Sequence, residues 1–195
     1  QPTDDSEMAL ALARCLVANH GFFPDKVLES YREWLTSRPL DIGATTERGL
    51  LGMHTTESES NGSLMRVSPI GVWAAGDPQR AARTAREDSA LTHKNPLCLR
   101  ACAAFAGAIA SGKPPEDYFT HMGWVLVSLQ NAFFHLKDSS FEEALISTVS
   151  AGGDTDTNAA ICGALLGAAL GPSAIPPRWI LPVLACRSTV DAGAP

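Results

Sequence analysis

Two short acidic clusters carry the strongest chemical signal in the sequence. They are Thr3-Asp4-Asp5-Ser6 and Asp154-Thr155-Asp156-Thr157, and each supplies two carboxylates and two hydroxyls. Ligands that are all oxygen favour a hard divalent cation such as Mg²⁺, Mn²⁺ or Ca²⁺ over Zn²⁺. Each cluster also stands at a predicted helix start, where Asp, Ser and Thr commonly cap free backbone N–H groups. Helix capping and cation binding are therefore both open for each cluster taken alone.

The late cluster favours a cation. The helix predicted to follow it is rich in Ala, Gly, Ile and Leu and should be buried. Two carboxylates at the mouth of a buried helix repel each other and lose solvation, and a bound cation removes both problems. The spacing of Asp154, Asp156 and Asn158 also matches an EF-hand loop. That alternative fails because Ala159 stands where the loop needs glycine and Leu165 where it needs glutamate.

The elements that must position these clusters are predicted to be helices. Apolar residues recur at the helical period of about 3.6, and no run shows the alternation of a half-buried strand. Proline and glycine mark many of the boundaries. The sequence therefore predicts one compact all-α domain over residues 1–195. Its predicted helices are 6–19, 24–36, 45–54, 69–75, 77–91, 96–111, 115–136, 141–150, 155–170 and 177–186.

Composition limits the class of protein. The 195 residues are 45% hydrophobic and 18% charged, which fits one folded domain rather than a disordered chain. The net charge of −6 argues against nucleic acid as a partner, although not against one nucleotide-like ligand. No segment predicts a membrane span or a signal peptide, so a cytoplasmic location is expected. The odd set of cysteines without a CxxC motif predicts buried thiols: Cys15, Cys98, Cys102, Cys162 and Cys186.

Six motifs, in order along the chain, resemble the ADP-ribosylglycohydrolase family, which includes dinitrogenase reductase-activating glycohydrolase and the ADP-ribosylarginine hydrolases. The family has an all-α fold of orthogonal helices, with a dinuclear metal site at helix N-termini, and the resemblance implies that fold here. The motifs are residues 3–10, 60–69, Leu91-Thr92-His93 with Asn95, Gly123-Trp124-Val125 with 129–132, 152–160, and Ile175-Pro176 with Arg178-Trp179.

The resemblance also implies a metal site and a reaction. Two Mg²⁺ (or Mn²⁺) ions would assist the hydrolysis of an ADP-ribosyl group, most simply from arginine, although serine, a nucleic-acid base or a small molecule are alternative carriers. Asp4, Asp5 and Asp156 are the implied catalytic residues, and Asp5 is the first candidate to take a proton from the attacking water. The implied metal ligands are Thr3, Asp4, Asp5, Asp154, Asp156 and Thr157.

Six residues are implied to bind substrate: Asn61, Gly62, Ser63, Met65, His93 and Trp124. Each also has a structural alternative. Asn61-Gly62 is typical of a turn, but glycine also lets backbone N–H groups approach a diphosphate. Met65 and Trp124 could belong to the core, whereas the Trp124 ring could instead stack on adenine or ribose. His93 could be a hydrogen-bonded structural residue, and Arg66 could pair with a carboxylate.

The resemblance further implies a glycine-rich first helix with an acidic residue ahead of Gln1. The expected partner is an ADP-ribosylated protein or ADP-ribose itself, and the oligomeric state is not indicated. Without that helix, the chain would fit a non-catalytic ADP-ribose-binding domain or a structural, crystallin-like member of the same fold. The complete Asp and Thr sets favour the enzyme.

Overall fold

The computed structural model describes residues 2–113, 124–137 and 140–186. Within these ranges the chain forms helices and no strand, as predicted. The helices are α1 (Asp4–Ala18), α2 (Pro24–Thr36), α3 (Ala44–Leu50), α4 (Ser68–Trp73), α5 (Pro78–Ala90), α6 (Pro96–Ser111), α7 (Trp124–His135), α8 (Phe141–Ser150), α9 (Thr155–Leu170) and α10 (Pro177–Ala185), with a 3₁₀ turn at Pro172–Ala174.

One predicted helix ends earlier in the structure than the sequence predicts, and a second can be compared only in part. The helix predicted for 45–54 ends at Leu50, because Gly52 takes a left-handed conformation with φ of 83°. Gly52 N–H then donates to the Gly49 carbonyl and Met53 N–H to the Arg48 carbonyl, which is a Schellman ending. Of the helix predicted for 115–136, the part before residue 124 lies outside the described residues.

One hydrophobic core joins the two helices that carry the acidic clusters. α1 contributes Met8, Leu12 and Leu16, and α9 contributes Ile161 and Leu165. The two helices also contact each other directly. Burying each large apolar side chain stabilises the fold by about 1.5–3 kcal/mol. The core therefore holds two segments together that are separated by most of the sequence.

Close packing of small residues sets the helices around this core. A side chain at Gly71 would place its Cβ 2.6 Å from the side chain of Ile109, so α4 lies directly against α6. A Cβ at Gly49 would lie 2.6 Å from the backbone of Thr92, so α3 is packed against the end of α5 in the same way. Glycine is required at both contacts, and the loop between α3 and α4 is thereby fixed at both ends.

The cysteines of this protein are free thiols, and most of them are buried, as the sequence predicts. Cys15, Cys98, Cys102 and Cys162 are buried, Cys186 is half-buried, and all five are free. Burial raises the pKa of the Cys98 thiol to about 12, so it is an inert packing group. No helix in the described ranges is both long enough and apolar enough to cross a bilayer.

Candidate active site

A cavity of about 380 Å³ lies where α1, α3 and α9 begin. Its wall includes Asp4 from the first acidic cluster and Asp154, Asp156 and Thr157 from the second. Asn61, Gly62 and Met65 of the intervening loop line it as well. The two clusters thus meet in space, and most of the predicted site residues face one cavity. We call residues 58–66, which contribute Ser60, Asn61, Gly62 and Met65 to its wall, the ligand loop.

The first cluster does not cap its helix. Thr3 is the N-cap residue of α1, but its side chain makes no capping hydrogen bond and donates instead to Asp5 Oδ2 at 2.8 Å. Asp5 is only 3% exposed, and its other oxygen, Oδ1, is buried without a hydrogen-bond partner. Such an orphaned carboxylate oxygen is costly unless a ligand satisfies it.

The electrostatics of the first cluster favour a cation. Burial, followed by the charge of Asp5, raises the pKa of Asp4 to about 6. Burial also raises the pKa of Asp5, and the charge of Asp156 raises it further. The hydroxyl groups of Thr3 and Thr157 act in the opposite direction and lower it. Asp5 of α1 is thus influenced by two residues of α9, Asp156 and Thr157. Among the described residues, no cation is one of the main influences on the pKa of either carboxyl group.

The second cluster is oriented by the ligand loop. Asp154 is the N-cap residue of α9, yet its side chain makes no capping hydrogen bond. Its Oδ2 instead accepts a hydrogen bond from Asn61 Nδ2 at 2.8 Å. Asp156, in the first turn of α9, is exposed and faces the cavity. Hydrogen bonds from a capping side chain therefore explain neither cluster.

The donors around this cavity fit a hard divalent cation. They are carboxylate and hydroxyl oxygens, the ligands that such cations prefer. Asp5 Oδ1 is buried without a hydrogen-bond partner, and Asp5 lies close enough to Asp4 and Asp156 for their charges to repel. Among the described residues, no three His, Cys, Asp or Glu side chains form a closed ligand cluster. Metal binding here would therefore draw on the threonine hydroxyls as well as on the carboxylates.

Asp41 and Thr46 belong to the same cavity, and the sequence analysis missed both. Asp41 lies in the loop before α3, and its charge adds to the rise in the pKa of Asp4, which burial and the charge of Asp5 cause in larger part. The Thr46 hydroxyl is buried and has no hydrogen-bond partner. The available signal was an acidic residue and a glycine, Asp41 and Gly43, directly before a helix with two threonines in its first turn.

Gly62 lets the ligand loop lie close to α3. An added Cβ would stand 2.7 Å from Thr46 Oγ1 and 3.1 Å from the ring of His93. The turn expected at Asn61-Gly62 is present, because the Asn61 carbonyl accepts hydrogen bonds from Leu64 N–H and Met65 N–H. Close approach, rather than a left-handed conformation, is therefore the physical requirement for glycine here.

Ser63 and His93 support the loop from behind. Ser63 is fully buried and accepts a hydrogen bond from Ser89 Oγ at 2.8 Å. His93 is 1% exposed, with Nε2 2.9 Å from Ser60 Oγ and Nδ1 2.7 Å from Thr92 Oγ1. Both side chains hold the loop in place, and a direct contact with substrate stays a prediction for each.

Trp124 is not a core residue. Its side chain is 70% exposed at the start of α7, so the core alternative for it is wrong. The next residue, Val125, donates its N–H to the Glu59 carbonyl at 3.0 Å, which ties α7 to the ligand loop. Stacking of the exposed ring on a ligand stays a prediction. Met65, by contrast, is 5% exposed and is both a core residue and part of the cavity wall.

A His93→Gln variant is expected to lose less stability on acidification than the wild type. Burial lowers the pKa of His93 from 6.5 to about 3. The unfolded chain therefore takes up this proton first, so the stability contribution is present above pH 6.5 and is lost as the pH falls towards 3. The difference between the two proteins should approach about 1.4 kcal/mol per pH unit.

Urea unfolding of both proteins between about pH 7 and about pH 4, with a chelator present, measures this difference in slope. Glutamine preserves a polar atom near Ser60, and any constant loss of stability cancels when slopes are compared. Parallel curves for the two proteins would show that His93 is protonated in the folded state.

The sequence matches a known family over nearly its whole length. A family model described as ADP-ribosylglycohydrolase covers residues 1–112 and 110–193. The chain belongs to the ADP-ribosylglycohydrolase family. The predicted resemblance is thereby confirmed, and the two matched stretches meet at the end of α6.

Relatives of known name support the same assignment. An ADP-ribosyl-[dinitrogen reductase] glycohydrolase of Rhodospirillum rubrum is 30% identical over 213 residues, covering 92% of this chain and 72% of its own length. An ADP-ribosylarginine hydrolase of Pseudomonas putida is 24% identical, covering 91% of this chain and 61% of its own length. These family members are ADP-ribosyl glycohydrolases, which supports a hydrolase activity for the chain.

A solved structure confirms the fold. An ADP-ribosylglycohydrolase-related protein complex aligns with a TM-score of 0.75 at 26% identity, over 92% of this chain and 75% of its own. The all-α fold predicted for the family is therefore correct for this member.

Proposed function

We propose that this chain is a metal-dependent hydrolase that removes ADP-ribose from a modified protein side chain, with arginine as the first candidate. The observation that carries the proposal is the meeting of both acidic clusters at one cavity. In the first of these clusters, Asp5 Oδ1 is buried and has no hydrogen-bond partner. By their names, the Rhodospirillum rubrum relative acts on ADP-ribosylated dinitrogen reductase and the Pseudomonas putida relative on ADP-ribosylarginine. The cavity volume of about 380 Å³ lies within the range of small-molecule sites.

The residues proposed to hold two Mg²⁺ or Mn²⁺ ions are Thr3, Asp4, Asp5, Asp154, Asp156 and Thr157. When bound, such ions supply positive charge that acidifies water and orients hydroxyl groups of the substrate. They would also remove the carboxylate repulsion that raises the pKa of Asp4 and Asp5. The chemistry of the donor set and the need for charge compensation thus support the same conclusion.

Asp5 is proposed as the proton acceptor. Its carboxylate has one oxygen without a hydrogen-bond partner, which is free to accept a proton, as a general base must. In the reaction, the oxygen of water bonds to the anomeric carbon of ribose as the bond from that carbon to the guanidine nitrogen breaks. One proton of the water passes through Asp5 to the departing nitrogen. The products are ADP-ribose and unmodified arginine.

Release of ADP-ribose from an arginine-modified peptide tests the proposal. The purified chain is incubated with the peptide in Mg²⁺, in Mn²⁺ and in excess chelator, and free ADP-ribose is measured by chromatography. Release that requires either metal is expected. Peptides modified on serine, and modified nucleic-acid bases, tested in parallel identify the linkage. ADP-ribose binding without any release would instead support the non-catalytic alternative and overturn the proposed activity.

A further inference from the structure

A chain of hydrogen bonds runs from α7, behind the cavity, to Asp154. Ser128 on α7 is 1% exposed and donates to Asn158 Oδ1 at 2.7 Å. The same hydroxyl accepts a hydrogen bond from Asn61 Nδ2 at 3.2 Å. Asn61 Nδ2 also donates to Asp154 Oδ2 at 2.8 Å. Three segments, α7, the ligand loop and the start of α9, are therefore joined through Asn61.

The chemistry of these groups leaves one consistent arrangement. A carboxylate only accepts hydrogen bonds, so the Asn61 atom that faces Asp154 must be the amide nitrogen. That nitrogen carries two hydrogens, one for Asp154 and one for Ser128. The single hydroxyl hydrogen of Ser128 is then free to go to Asn158 Oδ1, its shortest acceptor contact. Asn61 Nδ2 and the Ser128 hydroxyl thus use all their donor hydrogens, which fixes the orientation of the Asn61 amide.

This arrangement explains why Asp154 does not cap its own helix. An aspartate at an N-cap position ordinarily accepts a hydrogen bond from the backbone two or three residues later. Asp154 makes no such bond, and its Oδ2 is taken by Asn61 instead. Holding Oδ2 restricts rotation of the carboxylate and leaves Oδ1 to act as a ligand. Hydrogen-bonded partners of this kind orient the ligands of many protein metal sites.

We propose that Asn61 and Ser128 are positioning residues that hold the Asp154 carboxylate ready for metal binding. The proposal rests on the proposed function, because it takes Asp154 as a metal ligand. The side-chain amide of Asn61 would then orient a metal ligand instead of binding substrate. Ser128, on α7, would raise the affinity for the metal through Asn61. Neither side chain would touch the ion itself.

The test is the affinity of the substrate-free protein for Mn²⁺, measured by electron paramagnetic resonance of the unbound ion. Asn61→Leu removes the donor to Asp154 at similar volume and is expected to weaken Mn²⁺ binding by about 10–100-fold. Ser128→Ala, one hydrogen bond further away, is expected to weaken it by about 10-fold, the lower end of the same range. Ser128→Thr keeps the hydroxyl and is expected to restore most of the affinity.

Asn131→Ala is the matched control. Asn131 lies on the same helix as Ser128 and donates to Thr148 Oγ1 on α8 at 2.9 Å, so it makes an equivalent buried link away from Asp154. Its loss should lower the unfolding temperature as Ser128→Ala does, while Mn²⁺ affinity stays at the wild-type value. A role of Ser128 in packing alone would affect both alanine variants equally.

The outcomes separate this proposal from the proposed function. Wild-type Mn²⁺ affinity in folded Asn61→Leu and Ser128→Ala variants overturns the positioning role and leaves the proposed hydrolase standing. No Mn²⁺ binding by the wild-type chain overturns the metal-dependent function, and the positioning role with it. If Ser128→Ala does not fold, Ser128→Cys keeps the volume with a weaker hydrogen bond, and the same loss of affinity is expected from it.

Discussion

An Asp156→Ala variant is expected to lose hydrolysis of ADP-ribosylated arginine while keeping its fold. Asp156 faces the cavity from the first turn of α9, and its charge contributes to the raised pKa of Asp5. As a proposed direct ligand, it should matter more than the hydrogen-bonded partners of ligands, whose replacement costs about 10–100-fold in activity. Turnover is therefore expected to fall by more than about 100-fold. Hydrolysis assays at a fixed Mn²⁺ concentration measure this loss.

The fold of this variant should survive because the Asp156 side chain is exposed and lies among other negative charges. An acidic residue in the first turn of a helix contributes only about 0.3–1 kcal/mol. In the metal-free protein, relief of repulsion with Asp5 offsets part of that loss. Thermal unfolding in the presence of a chelator should therefore give nearly the same midpoint for variant and wild type.

Asp25→Ala is the control for this experiment. Asp25 occupies the second position of α2 and is exposed, as Asp156 is in α9, but it does not line the candidate active site. It is expected to show a similar small loss of stability with full activity. If Asp156→Ala hydrolyses the substrate as fast as Asp25→Ala does, the assignment of Asp156 as a metal ligand is wrong.

Local pattern was sufficient to find the helices of this protein. Helices are indicated by apolar residues that recur about every 3.6 positions and by proline and glycine at the boundaries. Both signals can be found within a short stretch of sequence. The end of α3 was missed because a left-handed Gly52 stops a helix that the apolar pattern would continue. The meeting of the acidic clusters is different in kind, because it depends on the packing of α1 against α9. Only the family resemblance could predict it from sequence.

The same distinction explains what the sequence could not specify within the site. Asp41 lies in a loop, where no periodicity indicates which way a side chain faces, so its place at the cavity could not be predicted. Ser63 and His93 stand in motifs of the family, but a motif does not distinguish a cavity wall from the layer that supports it. Burial decides that question, and burial depends on the neighbouring helices α5 and α6. Trp124 is the reverse case, since a large aromatic residue expected in the core is exposed.

Arg66 forms a buried ion pair with a carboxylate. It was expected to be able to pair with a carboxylate, and its partner is Asp88 of α5. The Arg66 Nε–Asp88 Oδ2 distance is 3.0 Å, and a second guanidinium nitrogen donates to the Asp88 carbonyl at 3.0 Å. Tyr31 donates its hydroxyl to Asp88 Oδ1 at 2.8 Å, and its ring lies 4.5 Å below the guanidinium. All three side chains are fully buried.

Asp88→Ala is expected to lower the free energy of unfolding by about 3–5 kcal/mol, because it leaves the Arg66 charge buried without a counter-ion. Tyr31→Phe removes one hydrogen bond to a charged acceptor and should cost about 1.5–3 kcal/mol. The double variant Arg66→Met with Asp88→Leu should be more stable than Asp88→Ala alone, since it buries no charge. Urea unfolding of the metal-free proteins measures all three.

The double variant also separates stability from the shape of the site. Arg66 is the last residue of the ligand loop, so the ion pair ties that loop to α5 and, through Tyr31, to α2. Apolar replacements can restore burial, but they supply no directional bond to hold the loop. The double variant is therefore expected to regain stability without regaining affinity for ADP-ribose, measured by calorimetry. Recovery of both would mean that volume alone positions the loop, and an Asp88→Ala protein as stable as wild type would contradict the buried pair itself.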